Sequence, residues 1–186
     1  MNENHAKLCA SPEWAERLQT KVLTPLLDGL ELGPHLIEVG PGPGAATDWL
    51  RHRVERLTAV ETEEAAAAAL KLRFPEVEVL HGDATALTFD DATFDAAATF
   101  TMLHHVPTRA AQDQLLAELV RVVRPGGVIA GGDSLASDDL REFHEDDTYN
   151  PIPPGHLLDR FRELGCAEVT VRVTKRMTFL ARKRAA

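Results

Sequence analysis

Residues 37–47 read IEVGPGPGAAT: an apolar run carrying Glu38, then Gly40, Gly42 and Gly44 with Pro41 and Pro43 in the gaps. Glycines directly after a strand let backbone come close to a ligand. A phosphate-binding loop holds its anion with backbone N–H groups, and the two prolines have none to give. Gly40 to Ala45 satisfies the G-x-G-x-x-A spacing of a dinucleotide loop. Against that reading, Glu38 would repel a pyrophosphate, and 186 residues are few for a nicotinamide domain plus a substrate domain. A bare strand-to-helix turn needs one glycine rather than three. A cationic ligand removes the conflict, because Glu38 and the net charge of −9 then attract it.

Further along the chain stand other residues with chemical capacity. Glu61 lies about 20 residues past the loop, the distance at which an acidic residue reaches ribose hydroxyls; the other reading is a charge at a helix start beside Thr62. Asp83 lies in HGDA (81–84), and Gly-Asp is also an ordinary turn. His104 and His105 either face a substrate or cap and pack the next helix. Asp133 either faces substrate or accepts backbone N–H bonds in the following turn. His144 and Tyr149, the only tyrosine, lie in a long polar stretch, and Asn150-Pro151 fixes the backbone after them. Long loops of this kind often cover or line binding sites; the alternative for Tyr149 is a surface aromatic packed on the last helix. The acidic run Glu142, Glu145, Asp146 and Asp147 beside His144 reads as a solvated helix face rather than a metal site.

These residues need elements to hold them. Residues 11–30 read as helical, with Ser11 as cap, Pro12 in the first turn, and a kink or second start at Pro25. HLIEV (35–39), RLTAVE (56–61), VEVLH (77–81), FDAAATF (94–100) and GVIAGGD (127–133) read as strands. Helices are expected at 44–53, from Thr62 to about Phe74, at 108–123 and at 155–165, with RPGG (124–127) as a stop. Residues 134–154 read as irregular. EVTVRVT and RMTFLARK close the chain as a hairpin. The β–α alternation predicts a doubly wound α/β domain over 1–186, with residues 1–30 as an N-terminal helical segment before a core at 31–186 and one antiparallel strand at the end.

Composition narrows the partners. The acidic balance argues against nucleic acid and anionic membranes. The longest apolar run, AAAAAL, is too short to span a bilayer. Cys9 and Cys166 match no metal or redox spacing, and the polar start carries no signal peptide, so a cytoplasmic protein with reduced thiols is expected.

Taken in order, EVGPGPG, Glu61, HGDA, FDAAATFTMLHHV and VRPGGVIAGGD resemble the class I S-adenosylmethionine-dependent methyltransferases, over nearly the whole chain after about residue 30. The resemblance implies a seven-stranded, mostly parallel sheet of order 3-2-1-4-5-7-6 with the last strand antiparallel and helices on both faces. It implies S-adenosylmethionine as the cofactor and S-adenosylhomocysteine as the product. The cofactor residues would be Glu38, Gly40, Pro41, Gly42, Gly44, Glu61, Thr62, Gly82, Asp83, Ala84, Thr99 and Phe100. Glu61 would bond both ribose hydroxyls and Asp83 the adenine amino group. Magnesium-dependent members place carboxylates past the fourth strand; Thr99 and Phe100 stand there, so no metal is expected. The acceptor is expected to be a small molecule, with His104, His105, Asp133, His144 and Tyr149 as candidates around it. Two other readings stay open: a non-catalytic protein that binds the same cofactor, and a NAD(P)-binding reductase.

Overall fold

The computed structural model describes residues 7–185; most of the polar start lies outside them. Seven strands form one sheet: β1 His35–Val39, β2 Arg56–Glu61, β3 Glu78–His81, β4 Phe94–Phe100, β5 Val123–Asp133, β6 Cys166–Val173 and β7 Met177–Lys183. Their order is β3-β2-β1-β4-β5-β7-β6, as expected from the resemblance. The first five are parallel, and β7 runs antiparallel to both β5 and β6.

Because successive strand residues point to opposite faces, neighbours along a strand serve different cores. Leu36, Ala96, Ala98, Val128 and Ala130 pack with the helices α1 (Pro12–Leu18), α2 (Thr24–Leu27), α3 (Ala45–Leu50) and α4 (Glu64–Arg73). Ile37, Ala97, Ile129 and Phe179 pack on the other face with α5 (Arg109–Val122) and α7 (Pro154–Glu163). Each fully buried Leu or Phe in these layers contributes roughly 1.5–3 kcal/mol. By contrast, α6 (Asp138–Phe143) buries none of its residues, so polar contacts must hold it.

Pro25 lies in the first turn of a second helix, α2, which the chain enters from α1 through a π-helical turn, Gln19–Leu23, and the wider turn accommodates the missing proline N–H. Three local expectations change. The helix α4 is not capped by Thr62. Its cap position is Glu63, without a side-chain bond, and the carboxylate of Glu61 takes the amides of Thr62 and Glu63 instead, at 2.8 and 3.2 Å. The helix α5 ends at Val122, beside RPGG as expected, but RPGG is itself an irregular part of β5 rather than a break before it. Val123 already pairs with Phe94, the register shifts before Ala96, and Gly126 at φ +77° lets the chain bulge and rejoin. Finally, the stretch after β5 contains α6, capped by Ser137, whose hydroxyl accepts the Leu140 amide at 3.2 Å.

Candidate functional site

The glycine loop between β1 and α3 decides what it can hold. Gly40, Gly42 and Gly44 all have positive φ, +67°, +51° and +89°. Backbone conformation alone therefore demands three glycines, and the expectation that a bare turn needs only one does not hold. Space adds to the demand at two of them: a Cβ on Gly40 would meet Met102 and one on Gly44 would meet Leu70 and Phe74, while Gly42 faces open space. Every amide in the loop is used internally. Gly40 N–H donates to Val60 O at 3.0 Å, Gly44 N–H to Pro41 O at 3.0 Å, and Gly42 N–H to Glu61 Oε2 at 3.1 Å. The prolines between have none, so the loop offers no N–H to an anion.

The loop borders a cleft of about 540 Å³ at the carboxyl ends of β1, β2 and β4, where open α/β sheets bind ligands. Glu38 and Glu61 both line it. Glu38 is 1% exposed and its Oε2 accepts from Thr47 Oγ1 at 2.7 Å. Burial pushes the Glu38 carboxyl up to about 7; the Thr47 hydroxyl pulls it down, and the charge of Glu61 adds to the rise. Across the cleft, β4 is followed by Thr101 at φ +53°, an unusual conformation for a β-branched residue. Its N–H bonds Gly132 O at 2.7 Å, which fixes the turn that sends Met102 over Gly40.

Beyond that turn, Leu103–His105 forms a short 3-10 helix. Asp133 receives the His104 amide at 3.0 Å and the Ser134 amide at 2.7 Å, and its Oδ1 also bonds His104 Nδ1. His144 Nδ1 donates to Leu140 O at 2.6 Å. The Tyr149 hydroxyl donates to Leu135 O at 3.3 Å and accepts from Ser137 N–H at 3.2 Å.

A methyltransferase domain family matches residues 37–131, about half of the chain and the part that holds the loop, the acidic residues and β1 to β5. The chain belongs to the class I S-adenosylmethionine-dependent methyltransferase family. It is 31% identical over 138 residues to a "Probable S-adenosylmethionine-dependent methyltransferase" of Mycolicibacterium smegmatis, covering 74% of this chain and 49% of the relative. It is 28% identical over 124 residues to the phthiotriol/phenolphthiotriol dimycocerosates methyltransferase of Mycobacterium tuberculosis, covering 64% of this chain and 45% of that protein. The chain thus spans about half the length of the curated relatives it matches. A Pyrococcus horikoshii protein of known structure shares the fold with a TM-score of 0.81 at 16% identity, over 99% of this chain and all of that one. Among the described residues, no helix is long and apolar enough to cross a membrane.

In this chain the sequence-chosen residues do not all meet at the cleft. Glu38, Gly40, Pro41, Gly42, Glu61, Thr62, Gly82, Asp83, Ala84, Phe100 and His105 line it. Gly44 supports the loop from beneath, against Leu70 and Phe74, and Thr99 is buried at 1% exposure away from the cleft wall. Asp83 Oδ1 accepts from the Thr85 amide and hydroxyl, both at 2.8 Å, so the ordinary-turn reading describes one of its two oxygens. Asp133 is 2% exposed and binds His104 rather than the cleft. His144 and Tyr149 line a second, shallower depression; from their segment, Asp147 and Thr148 reach the main cleft. The opposite wall comes from Trp14 and Leu18 of α1 and from Cys9. Sequence reasoning did not select Leu18, Met102 or Thr148, which carry no chemical signature.

The buried Glu38 gives a stability prediction. In the unfolded chain its carboxyl ionises near 4.5, in the fold near 7. Below the first value both states hold the proton and the residue costs nothing. As pH rises through the window, only the fold still holds it, and stability is lost; above the second value the full cost of a buried charge, on the order of 2–3 kcal/mol, is present. Glu38→Gln should therefore gain thermal stability over the parent protein at about pH 8 and little at about pH 5. Melting curves across that range test it, and an equal gain or loss at both ends would mean that Glu38 does not titrate there.

Proposed function

We propose that the protein transfers the methyl group of S-adenosylmethionine to a small acceptor bearing a hydroxyl group. One observation carries the cofactor half of this reading: the loop amides are all consumed internally while two carboxylates, Glu38 and Glu61, face the same cleft. That arrangement suits a cationic ligand without phosphates and opposes a nicotinamide dinucleotide. In it, Glu61 takes the ribose hydroxyls, Asp83 the adenine amino group, and the Gly40–Gly42 stretch lies along the methionyl part, with the ammonium toward Glu38.

The acceptor approaches the methyl group between Trp14 and Leu18 on one side and Met102, His105 and Thr148 on the other. The cleft volume falls within the roughly 300–1,000 Å³ of small-molecule sites. The mycobacterial relative is named for phthiotriol and phenolphthiotriol dimycocerosates, names that derive from a polyol, which supports a hydroxyl oxygen as the atom methylated. The reaction is an in-line displacement: the oxygen forms a bond to the methyl carbon, the carbon–sulfur bond breaks, its electron pair stays on sulfur, and the hydroxyl proton passes to solvent or a base. Alignment alone supplies roughly 7–11 kcal/mol of such a barrier.

Calorimetry with S-adenosylmethionine, S-adenosylhomocysteine and NAD tests the cofactor assignment. The first two should bind, and near neutral pH their binding should release protons, because an ammonium beside Glu38 favours its ionised form. Repeating the titration in buffers of different ionisation heat reads the proton count, and Glu38→Gln should abolish it. NAD binding without a response to either adenosyl ligand would overturn the assignment. A panel of alcohols, amines and thiols, read by S-adenosylhomocysteine release, then tests the acceptor class.

A further inference from the structure

Three imidazoles converge at the wall of the cleft. His104 and His105 leave β4 on the 3-10 turn, and His144 follows α6, about forty residues on in sequence. One ring nitrogen from each lies within 4.8 Å of those of the other two. The ring centroids are 4.2 Å apart for His104 and His105, 5.0 Å for His104 and His144, and 5.2 Å for His105 and His144.

Two of the rings are also oriented by an oxygen hydrogen-bonded at Nδ1, and the third has a carboxylate near that atom. His104 Nδ1 bonds the buried carboxylate of Asp133. His144 Nδ1 donates to the carbonyl of Leu140 at 2.6 Å, which leaves Nε2 as the lone-pair nitrogen. His105 Nδ1 lies 3.8 Å from Asp147 Oδ1. Metal-ligating histidines show this arrangement: the outer nitrogen donates to a carboxylate or carbonyl, which fixes the tautomer and aims the other nitrogen at the ion. His104 supplies an independent sign. Its Nε2 is buried without a hydrogen-bond partner, in a residue 2% exposed, and a buried polar atom left so costs stability unless something fills its place.

We propose that His104, His105 and His144 bind one divalent transition-metal ion of the zinc class. Imidazole donors suit zinc, iron, nickel and copper and do not suit magnesium or calcium. Zinc–nitrogen bonds of about 2.0–2.1 Å in tetrahedral array put the ligand atoms about 3.3 Å apart, so the rings close in by at most about 1.5 Å from their present spacing, a matter of small side-chain rotations. Three protein ligands leave one position open, as in zinc sites that bind a substrate or water oxygen. His105 also lines the cleft, so the ion would sit where an acceptor hydroxyl arrives. That last point rests on the methyltransferase reading; binding of the ion does not. The carboxylate expectation for this family looked for acidic ligands past β4, and a site of imidazoles escapes it.

The test uses tag-free protein stripped with chelator and titrated with zinc and with cobalt(II). One equivalent should bind per chain, and cobalt should show the visible absorption of a low-coordinate nitrogen-ligated ion. Loss of an outer partner of a metal ligand costs ~10–100-fold in affinity. Loss of a ligand itself, in His144→Ala or His105→Ala, should cost more than ~100-fold. His156→Ala, at an exposed histidine outside the cluster, should change nothing. Calorimetry with S-adenosylhomocysteine on His144→Ala reports whether the variant is folded, since His144 lies outside the main cleft. Substoichiometric uptake by the parent protein, or uptake unchanged in both cluster variants, overturns the site. Stoichiometric cobalt binding by a protein that ignores S-adenosylhomocysteine would leave the site standing and remove the methyltransferase reading.

Discussion

Glu61→Ala should bind S-adenosylmethionine about 10–100-fold more weakly than the parent protein. The carboxylate does two jobs at once. Its Oε1 takes the amides of Thr62 and Glu63, and its Oε2 takes the amide of Gly42, so it joins the start of α4 to the glycine loop. In the proposed complex its remaining lone pairs take the ribose hydroxyls. Hydrogen bonds to a charged group contribute roughly 1.5–3 kcal/mol each, and every 1.4 kcal/mol is about tenfold in affinity. Alanine loses the ribose bonds and also frees the loop, so both direct and positioning losses fall on the cofactor. Glu61→Gln separates them: it keeps one acceptor oxygen for the amides but loses the charge, and should fall between the two. Calorimetry with S-adenosylhomocysteine measures all three proteins. Equal affinity in all of them would reduce Glu61 to a helix-start residue, which its bonds to Thr62 and Glu63 already describe.

The positions of the strands were readable in the sequence because local patterns write them, while their order and the candidate cofactor residues came from the family resemblance. The apolar run HLIEV, the alternating glycines and the acidic end of β2 each follow from short-range chemistry. Even there, three glycines do not by themselves imply a ligand, because the φ values of Gly40, Gly42 and Gly44 require them with or without one. The internal bonding of the loop amides, visible only in three dimensions, carries the argument instead. The acceptor side was far less readable. His144 and Tyr149 were chosen for their chemistry and lie beside the cleft rather than in it, since the Tyr149 hydroxyl bridges Leu135 and Ser137 within its own segment. Asp133 was chosen as a strand-end carboxylate and turns inward to His104. The meeting of His104, His105 and His144 joins two distant stretches of chain, and no periodicity encodes it. The same holds for Gln112, which reads in sequence as one polar residue on a helix.

That glutamine carries the second large expected effect: Gln112→Leu should destabilise the protein by about 3 kcal/mol or more and loosen the segment that borders the acceptor side. Gln112 is 2% exposed. Its Nε2 donates to Leu103 O at 3.0 Å and to Asn150 O at 2.7 Å, and its Oε1 accepts from Arg160 Nη1 at 3.2 Å. Asn150 in turn donates twice: its amide N–H to His104 O at 2.7 Å and its side-chain amide to Val106 O at 3.0 Å. One side chain thus ties the exit of β4, the end of the polar segment and α7 together. Leucine fills similar volume but leaves two carbonyls and a guanidinium N–H without that partner, at about 1–3 kcal/mol for each group that water cannot reach. For a chain of this size each kcal/mol moves the melting temperature by roughly 2–4 °C, so a fall of about 6–12 °C is expected. Because α6 buries no residue of its own, the segment before Asn150 should open first, and limited proteolysis should cut between residues 134 and 150 faster than in the parent protein. Cofactor affinity should change far less, since Glu38, the glycine loop and Glu61 lie on β1, β2 and the turns after them. A variant that melts with the parent protein and resists protease equally would show that the segment is held by something other than this network.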